Sequence, residues 1–346
     1  MKAAVLEQLE RMELKEVPLP RIDDDSILMK VKAVGICGSD IRIYRHGNSR
    51  VRLPQILGHE AAGQIVAVGK NVTRFKEGDR VSLGADVPCG ECVFCEAGIG
   101  NNCQTNFAMG YQYAGSFAEY VLLNRMVVNF GPIHRIENRV SYEEAALAEP
   151  LACVLNGLEL SQVKLGDTVV VIGAGPIGLM LVEIAKKMGA RLLLVNRSRP
   201  RLDVAKQLDI GASATICSSE EDAVARVLEE TGGLGADVVI TCNPSPESQQ
   251  EAIRMAKNRA RVNLFGGLPK DRSIVPLDTN LIHYKELFVH GAHGSLPRHH
   301  RQAVELINDG RIDMTKFISH RFPLTRIEEA IRTAESHAGL RVIIQP

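Results

Sequence analysis

The sequence has no excess charge of either sign and no long apolar run. Lysine plus arginine and aspartate plus glutamate each total 41 among 346 residues, so no basic surplus draws the chain to nucleic acid or to an anionic membrane. The longest uncharged apolar run, about residues 168–182, is too short to cross a bilayer and contains three glycines and a proline. We therefore expect no nucleic-acid or membrane partner, and instead a small molecule or another copy of the chain.

An apolar leader segment is also lacking, because the chain opens MKAAVLEQLERMELKEV with charges throughout. Secreted disulfide scaffolds are shorter and richer in cysteine, and they follow a signal peptide. We therefore expect a cytoplasmic, reducing location. A composition of 45% apolar and 24% charged residues is that of a folded globular protein, and the length favours two domains of ordinary size.

The pattern of strands and helices changes along the chain. The first third contains short β-like runs over 27–36, 63–69 and 117–123, broken by turn-forming residues. From about Pro150, strands alternate with amphipathic helices, which predicts parallel β-α-β units. The predicted strands are 168–172, 192–196, 236–241 and 261–267, and the predicted helices between them are 178–190, 201–212 and 248–259. After about Leu287 we predict helices near 301–308 and 327–335 and a closing strand, RVIIQ.

A glycine pattern follows the first of these alternating strands. Gly173, Gly175 and Gly178 form G-x-G-x-x-G between a strand and a helix, which is the context that a dinucleotide site requires. The three glycines permit a tight turn, close approach of a pyrophosphate and close helix packing. We add Pro176, Ile177 and Gly266 to the cofactor-binding candidates. The alternative is a strand-to-helix turn without a ligand.

The second alternating strand lacks the acidic residue that holds the ribose of NAD. The strand RLLLVN ends in Asn196, followed by Arg197, Ser198, Arg199 and Arg201. Guanidinium groups form bidentate, charge-assisted bonds with phosphate, so this segment mildly favours NADP, with Asn196, Arg197 and Arg201 as candidates. The alternative is a solvated loop and an NAD site that uses other contacts.

Four of the eight cysteines fall within fifteen residues. Cys89, Cys92, Cys95 and Cys103 give C-x2-C-x2-C-x7-C, which fits the closed tetrahedral sulfur shell of a structural zinc. Disulfides are the alternative, but the expected reducing location disfavours them. We expect bound zinc to fold this segment, because it contains little apolar material.

A second set of possible metal ligands is spread along the chain. Its members are Cys37 in VGICGSD, His59 and Glu60 in LGHEAAG, and Glu149 in LAEPLAC. A thiolate, an imidazole and a carboxylate with one open position are the ligands of a catalytic zinc. Asp40 is expected to orient His59, and Ser39 to pass a proton outward. Each residue alone also fits ordinary core packing or a turn cap.

These motifs together resemble the medium-chain, zinc-dependent alcohol dehydrogenase family. GHEAAGQIVAVGKNV matches that family's G-H-E-x2-G-x5-G-x2-V signature, the four-cysteine segment follows it, and GSFAEYV precedes the cofactor region. The chain most resembles the sorbitol (polyol) dehydrogenase branch, and threonine dehydrogenase next, because it has Glu149-Pro150 where simple alcohol dehydrogenases have a cysteine ligand.

The resemblance implies an α/β protein with two domains. It implies a β-rich, GroES-like catalytic domain at 1–149, with its zinc lobe at 89–103, and a Rossmann doubly wound parallel-sheet coenzyme domain at 150–288. Residues 289–346 are expected to return to the catalytic domain. The resemblance further implies a homotetramer or homodimer.

The resemblance also implies the metal and the cofactor of the enzyme. It implies two Zn²⁺ per chain and NAD(P), with Cys37, His59 and Glu60 as ligands of the catalytic zinc. Glu149 then either binds that zinc or holds its water. Cys153, one helical turn after Glu149, is expected to pack, with approach to the metal as the alternative.

The implied activity is hydride transfer between a secondary alcohol and NAD(P), with Cys37, Ser39, His59, Glu60 and Glu149 at the catalytic centre. The alcohol is expected to be a polyol, a sugar alcohol or its phosphate, and the polar run VHGAHGSLPRHHR is either a substrate-contacting segment or a solvated loop. The alternatives are a threonine or short-chain alcohol dehydrogenase and, more distantly, a non-catalytic NAD(P)-binding regulator. Arg42 departs from the family, because many relatives have a proton-relaying histidine there.

Overall fold

The first part of the chain is built mainly of short strands, as the sequence predicts. The computed structural model describes all 346 residues. The elements of this part are β1 (Lys2–Gln8), β2 (Arg11–Glu16), β3 (Ile27–Gly35), α1 (Gly38–His46), β4 (Gln55–Ile56), β5 (Glu60–Val68), β6 (Arg80–Leu83), β7 (Asp86–Val87), α2 (Val93–Glu96), β8 (Phe107–Ala108), β9 (Tyr120–Leu123), α3 (Arg125–Phe130), β10 (Ile133–Arg135) and α4 (Tyr142–Ala146). A short 3₁₀ turn covers Gly100–Asn102.

Helices and strands alternate through the middle of the chain. The elements are α5 (Ala148–Leu160), β11 (Thr168–Ile172), α6 (Pro176–Lys187), β12 (Arg191–Asn196), α7 (Arg199–Gln207), β13 (Ala214–Cys217), α8 (Ala223–Glu230), β14 (Ala236–Thr241), α9 (Pro246–Met255), β15 (Ala256–Leu264), α10 (Thr279–Tyr284) and β16 (Phe288–Gly291). Another 3₁₀ turn covers Lys270–Arg272.

The last part of the chain contains α11 (Pro297–Asn308), β17 (Ile318–Pro323), α12 (Ile327–Glu335) and β18 (Arg341–Gln345), with 3₁₀ turns at Thr315–Phe317 and Leu324–Arg326. No helix in the structure has the length and apolar character needed to span a bilayer. The chain folds into two compact units: Met1–Cys153 with Gly294–Pro346, and Val154–His293. We call them the catalytic unit and the coenzyme unit.

The catalytic unit is organised around a seven-stranded sheet. Its path is β10-β6-β5-β3-β18-β17, and β9 also pairs with β3. The closing strand β18 runs antiparallel to β3, with Ile344 opposite Val34 and Ile343 opposite Gly35. Apolar residues of both the first and the last part of the chain share one core, including Val34, Leu57 and Ile344. The C-terminal segment therefore completes the sheet that carries the first candidate site.

The coenzyme unit is a six-stranded, fully parallel sheet in the order β13-β12-β11-β14-β15-β16. Val169, Val170 and Val171 in the central strand β11 are fully buried, as expected for a strand covered by helices on both faces. This order reverses direction beside β11, which is the arrangement of the dinucleotide-binding doubly wound fold. The predicted fold class, a β-rich domain with a Rossmann domain, is confirmed.

The structure corrects the ends of all three predicted helices in the coenzyme unit. The helices predicted over 178–190 and 201–212 end at Lys187 and Gln207. The helix predicted over 248–259 ends at Met255, and β15 begins at Ala256. Ala256 pairs with Ala236 of β14, so sheet pairing outweighs the helical pattern of the sequence AKNR. The short strand β13 and helix α8 were not predicted, although the buried Ala223, Val224 and Val227 of α8 have helical spacing.

Gly178→Ala is expected to destabilise the coenzyme unit. A Cβ at Gly178 would lie 1.8 Å from the carbonyl oxygen of Gly173, so the turn or the helix would have to move, at a cost of about 1–3 kcal/mol. Gly175→Ala is the matched control, because a Cβ there meets nothing within 4 Å and φ is −83°. Urea unfolding followed by far-UV circular dichroism tests this. Equal midpoints for the two variants would contradict it.

Candidate metal and cofactor sites

The carboxylate of Asp40 joins the two segments that carry the first candidate ligands. Asp40 is buried in α1, and its Oδ2 accepts a hydrogen bond from the backbone N–H of Cys37 at 2.9 Å. Its Oδ1 accepts another from Gly58 at 3.2 Å, directly before His59. The same Oδ1 lies 3.4 Å from Nδ1 of His59. Asp40 therefore positions Cys37 and His59 together, as the sequence predicts for a residue that orients the imidazole.

Cys37, His59 and Glu60 converge at the end of β3 and β5. One ligand atom of each lies within 4.8 Å of the other two. Oε2 of Glu60 is buried without a hydrogen-bond partner. Burial lowers the pKa of His59, but the nearby Asp40 carboxylate and Cys37 outweigh burial and raise it. A thiol, an imidazole and a carboxylate at this spacing fit a zinc ion.

Arg341 is a member of this site that the sequence analysis missed. Its Nη1 lies 2.9 Å from Oε1 of Glu60 in an ion pair and donates a hydrogen bond to the carbonyl oxygen of Ile36 at 3.2 Å. Both side chains are almost completely buried. Arg341 reaches the site because β18 pairs with β3. The only signal in the sequence was one charge in the otherwise uncharged strand RVIIQ.

Glu149 lies in the first turn of α5 and is buried near the three ligands. Burial raises the pKa of Glu149 to about 8, and the carboxylates of Glu60 and Asp86 add to this increase. The Sγ of Cys153, one turn later, lies 3.7 Å from Oε1 of Glu149. Neither Glu149 nor Cys153 belongs to the cluster within 4.8 Å. Of the two glutamates, Glu60 is therefore the one whose carboxylate lies within the ligand cluster.

Two further side chains border this site. The Oγ of Ser39 lies 3.4 Å from Nε2 of His59, so its hydroxyl is placed beside the candidate ligands. The ring of Tyr111 lies 6.0 Å from the His59 ring, centroid to centroid. Burial raises the pKa of the Tyr111 hydroxyl. Tyr111 was not predicted, because no local motif marks it.

The four-cysteine segment brings its sulfur atoms together. Sγ of Cys92 lies 3.5 Å from Sγ of Cys95 and 3.9 Å from that of Cys103, and Sγ of Cys89 lies 3.9 Å from Cys95. A tetrahedral zinc with Zn–S bonds of 2.3 Å places sulfurs about 3.8 Å apart. Backbone N–H groups of Gln104 and Cys95 lower the pKa of the Cys92 thiol to about 6. The four thiols therefore fit a structural zinc.

The turn between β11 and α6 forms a cradle at a helix N-terminus. Gly173 has φ +118°, a conformation that side chains rarely adopt, and Gly175 precedes the helix with open space around it. Pro176 and Ile177 occupy the first two helical positions, so the first amides face outward. Gly266 lies so close to Asn243 that a Cβ would be 2.7 Å from its carbonyl oxygen. This turn fits a dinucleotide pyrophosphate.

The end of β12 has one free guanidinium. The side chain of Asn196 bridges the loop, because its Oδ1 accepts from the Ala174 N–H at 3.0 Å and its Nδ2 donates to the Ser198 carbonyl oxygen at 3.0 Å. Arg199 forms an ion pair with Glu220. Arg197 is exposed and pairs with no carboxylate, whereas Arg201 is half-buried.

The polar run near the C-terminal part does not form one surface. His290 and His293 belong to the coenzyme unit, and His299 and His300 belong to the catalytic unit, where both are buried. Nδ1 of His300 lies 2.8 Å from Nδ1 of His134, and burial lowers the pKa of both rings. The solvated-loop alternative is therefore wrong for His299 and His300, whose side chains are buried under α11, and substrate contact by this run stays a prediction.

Family models and curated proteins match most of this chain. The alcohol dehydrogenase GroES-like domain matches residues 23–131, and the zinc-binding dehydrogenase domain matches 176–309. Sorbitol dehydrogenase of Bacillus subtilis is 33% identical, covering 100% of this chain and 97% of that protein. L-threonine 3-dehydrogenase of the same species is 36% identical, covering 96% and 94%. The chain belongs to the medium-chain, zinc-dependent alcohol dehydrogenase family.

A solved structure supports the same assignment. A zinc-binding dehydrogenase of Sinorhizobium meliloti 1021, bound to NADP, superposes with a TM-score of 0.92 at 33% identity and covers 100% of this chain and 99% of its own. The predicted family and enzyme class are confirmed: this is a zinc-dependent, NAD(P)-linked alcohol dehydrogenase. Within this dehydrogenase, Arg42 is exposed at the position where many relatives have the relay histidine.

Cys95→Ser is expected to remove one zinc from this dehydrogenase. Loss of one of four thiolates should lower zinc content from about two to about one per chain and unfold the segment 89–103 locally. Metal analysis and limited proteolysis measure the two effects. Cys217→Ser, at a buried cysteine outside both clusters, is the control and should retain full zinc content. Unchanged zinc content in Cys95→Ser would contradict the assignment.

Proposed function

We propose that this dehydrogenase oxidises a secondary hydroxyl of a polyol or sugar alcohol, or of its phosphate, at a zinc held by Cys37, His59 and Glu60. The convergence of these three donor atoms within 4.8 Å carries the proposal. The buried carboxylate of Glu149 supports the polyol branch, since a cysteine ligand would mark a simple alcohol dehydrogenase. The sorbitol dehydrogenase relative supports the same substrate class.

The side chains around the metal site have different roles in removing the alcohol proton. When bound, the zinc supplies the Lewis acidity that favours loss of the alcohol proton near neutral pH. Ser39 receives that proton, because its hydroxyl lies beside His59 at the half-buried edge of the site. Arg42 does not replace a relay histidine, because a guanidinium stays protonated. The proton therefore leaves through the Ser39 hydroxyl.

Glu149 acts as the second carboxylate of the site. Its position in the first turn of α5, outside the ligand cluster, suits a residue that would either bind the zinc or hold its water. Arg341 positions Glu60, since its guanidinium balances the Glu60 charge in a buried site.

Threonine dehydrogenase is the second candidate function. The threonine dehydrogenase relative is slightly more identical than the sorbitol dehydrogenase relative, at 36% against 33%. A panel of polyols, polyol phosphates, short-chain alcohols and L-threonine, assayed with NAD and NADP at the absorbance of the reduced nicotinamide, separates these functions. The highest kcat/KM identifies the substrate class.

We also propose NADP as the preferred cofactor. The exposed guanidinium of Arg197 has no carboxylate partner, and Asn196 adds no negative charge at the end of β12. A ribose 2′-phosphate is the group that such an arginine recognises. The half-buried Arg201 is proposed to support the same loop. The NADP-bound relative supports this preference.

The chain has further proposed properties: its domain boundaries, its oligomeric state and its location in the cell. We propose domains at 1–149, 150–288 and 289–346, supported by the boundaries of the two compact units at 153/154 and 293/294. We propose a homotetramer or homodimer, which sedimentation analysis tests. We propose a cytoplasmic location, because four zinc-binding thiolates persist in a reducing compartment.

Glu149→Ala is expected to lower turnover on the preferred alcohol about 10–100-fold, because it removes a carboxylate that orients the metal site. Zinc analysis should still find the four-cysteine zinc. Glu159→Ala, at the exposed end of the same helix, is the control and should retain activity. Unchanged polyol turnover in Glu149→Ala would contradict the proposed role of this carboxylate.

Cys37→Ala should lower zinc content from about two to about one per chain, because it removes one ligand of the proposed catalytic zinc.

Arg197→Gln is expected to lower kcat/KM for NADP about tenfold through the loss of charge-assisted bonds to the 2′-phosphate. The value for NAD should change less than about twofold, since its ribose has no phosphate. Initial rates over a range of each cofactor measure both. Arg199→Gln is the control, because Arg199 already pairs with Glu220. Equal losses with both cofactors would refute the assigned role.

A further inference from the structure

Arg50 is a half-buried arginine without a counter-ion. It precedes β4, forms no ion pair with any carboxylate, and its Nε is buried without a hydrogen-bond partner. Its Nη2 donates to the carbonyl oxygen of Asn106 and lies 3.4 Å from the side-chain oxygen of the same residue. Both partners are neutral. A partly desolvated guanidinium is costly unless an anion pairs with it, so Arg50 has unused capacity to bind one.

The ring of Tyr111 connects Arg50 to the metal site. The guanidinium carbon of Arg50 lies over this ring, 4.8 Å from its centroid. The same ring lies 6.0 Å from the ring of His59, centroid to centroid. The Arg50 guanidinium therefore lies within about 11 Å of the His59 ring, a distance that an extended six-carbon alcohol phosphate can span.

A side chain close to Arg50 in sequence holds the backbone of Tyr111. Nε2 of Gln55 donates to the Tyr111 carbonyl oxygen at 2.6 Å, so the segment after Arg50 and the segment around Tyr111 are tied together. The cation-π contact holds the guanidinium in one place, while its Nη1 forms no hydrogen bond in the structure. A preorganised planar fork is suited to a phosphate or a carboxylate, whose oxygens match its geometry.

We propose that Arg50 binds an anionic oxygen group, phosphate or carboxylate, on the alcohol that this enzyme oxidises. This inference rests on the proposed function, since it places the reacting hydroxyl at the Cys37, His59 and Glu60 site. It narrows the substrate class from polyols in general to alcohols that carry a phosphate or carboxylate. Arg50 is a substrate-binding and specificity-determining residue and takes no part in proton transfer.

Kinetics of Arg50→Gln on the zinc-loaded enzyme test the proposal. The substrates are sorbitol, sorbitol 6-phosphate and L-threonine. We expect the wild-type enzyme to prefer one of the two charged alcohols, and Arg50→Gln to raise KM for that alcohol about tenfold or more. kcat for that alcohol, and both constants for sorbitol, should change less than about twofold. Preference for the phosphate or for threonine identifies which anion binds.

Two further variants separate charge recognition from structural effects. Arg50→Lys should restore part of the lost affinity, because it keeps the charge but loses the planar fork. Arg52→Gln removes an exposed arginine two residues away and should leave all constants unchanged. Equal losses for neutral and charged substrates in Arg50→Gln would overturn the proposal, as would wild-type preference for sorbitol with no effect of the substitution.

A binding experiment keeps the inference testable if the enzyme oxidises none of these alcohols, which would refute the proposed function. Inorganic phosphate is titrated by calorimetry into cofactor-free, zinc-loaded protein carrying Arg197→Gln, which removes the expected phosphate contact of the coenzyme unit. Heat of binding that disappears when Arg50→Gln is added supports an anion site at Arg50. Absent binding, or binding unchanged by Arg50→Gln, overturns it.

Discussion

The buried carboxylate of Asp40 is the interaction on which the catalytic unit depends. It accepts backbone hydrogen bonds from Cys37 and Gly58 and lies beside the imidazole of His59. Two segments that carry ligands for one metal are therefore held at one carboxylate. A metal site needs its ligands placed to within a fraction of an ångström, and a buried anion that binds two backbone amides provides that constraint at both segments. The negative charge also favours a cation between Cys37 and His59.

Charge balance in this site comes from a strand at the other end of the chain. Glu60 and Glu149 are both buried, and the Glu60 carboxylate adds to the effect of burial in raising the pKa of Glu149. Arg341 compensates one of these charges through its ion pair with Glu60. The return of the C-terminal segment to the first sheet thus serves the site directly, because β18 brings a cation to the end of β3. The pairing of β18 with β3 therefore both completes the sheet and supplies the positive charge that the site needs.

The coenzyme unit relies on close backbone packing rather than on charge. In its first turn, a side chain at Gly178 would collide with the backbone, whereas the space around Gly175 is open. Asn196, which we predicted as a cofactor contact, also has a structural role, since its side chain accepts from the Ala174 N–H of that turn and donates to the Ser198 carbonyl oxygen of its own loop. An aspartate cannot donate the second of these bonds. Asn196 therefore leaves the cofactor loop without a negative charge and also holds that loop in place.

The local motifs were readable from the sequence because their geometry is local. The cysteine spacing from Cys89 to Cys103, the glycine turn at Gly173 and the pair His59 and Glu60 each place their groups through a few residues of backbone, and a resemblance to one family joined them. Residues whose neighbours are distant in the chain were not predictable. Arg341, Tyr111 and Arg50 acquire their contacts only when strands and loops far apart in the sequence pair, and burial of His299 and His300 likewise follows from the packing of α11. The sequence by itself determined the family, the fold class and the candidate metal ligands. Only the tertiary structure decided which charges compensate one another around the metal site and that Arg50 is half-buried without a counter-ion, because both depend on contacts between separate segments.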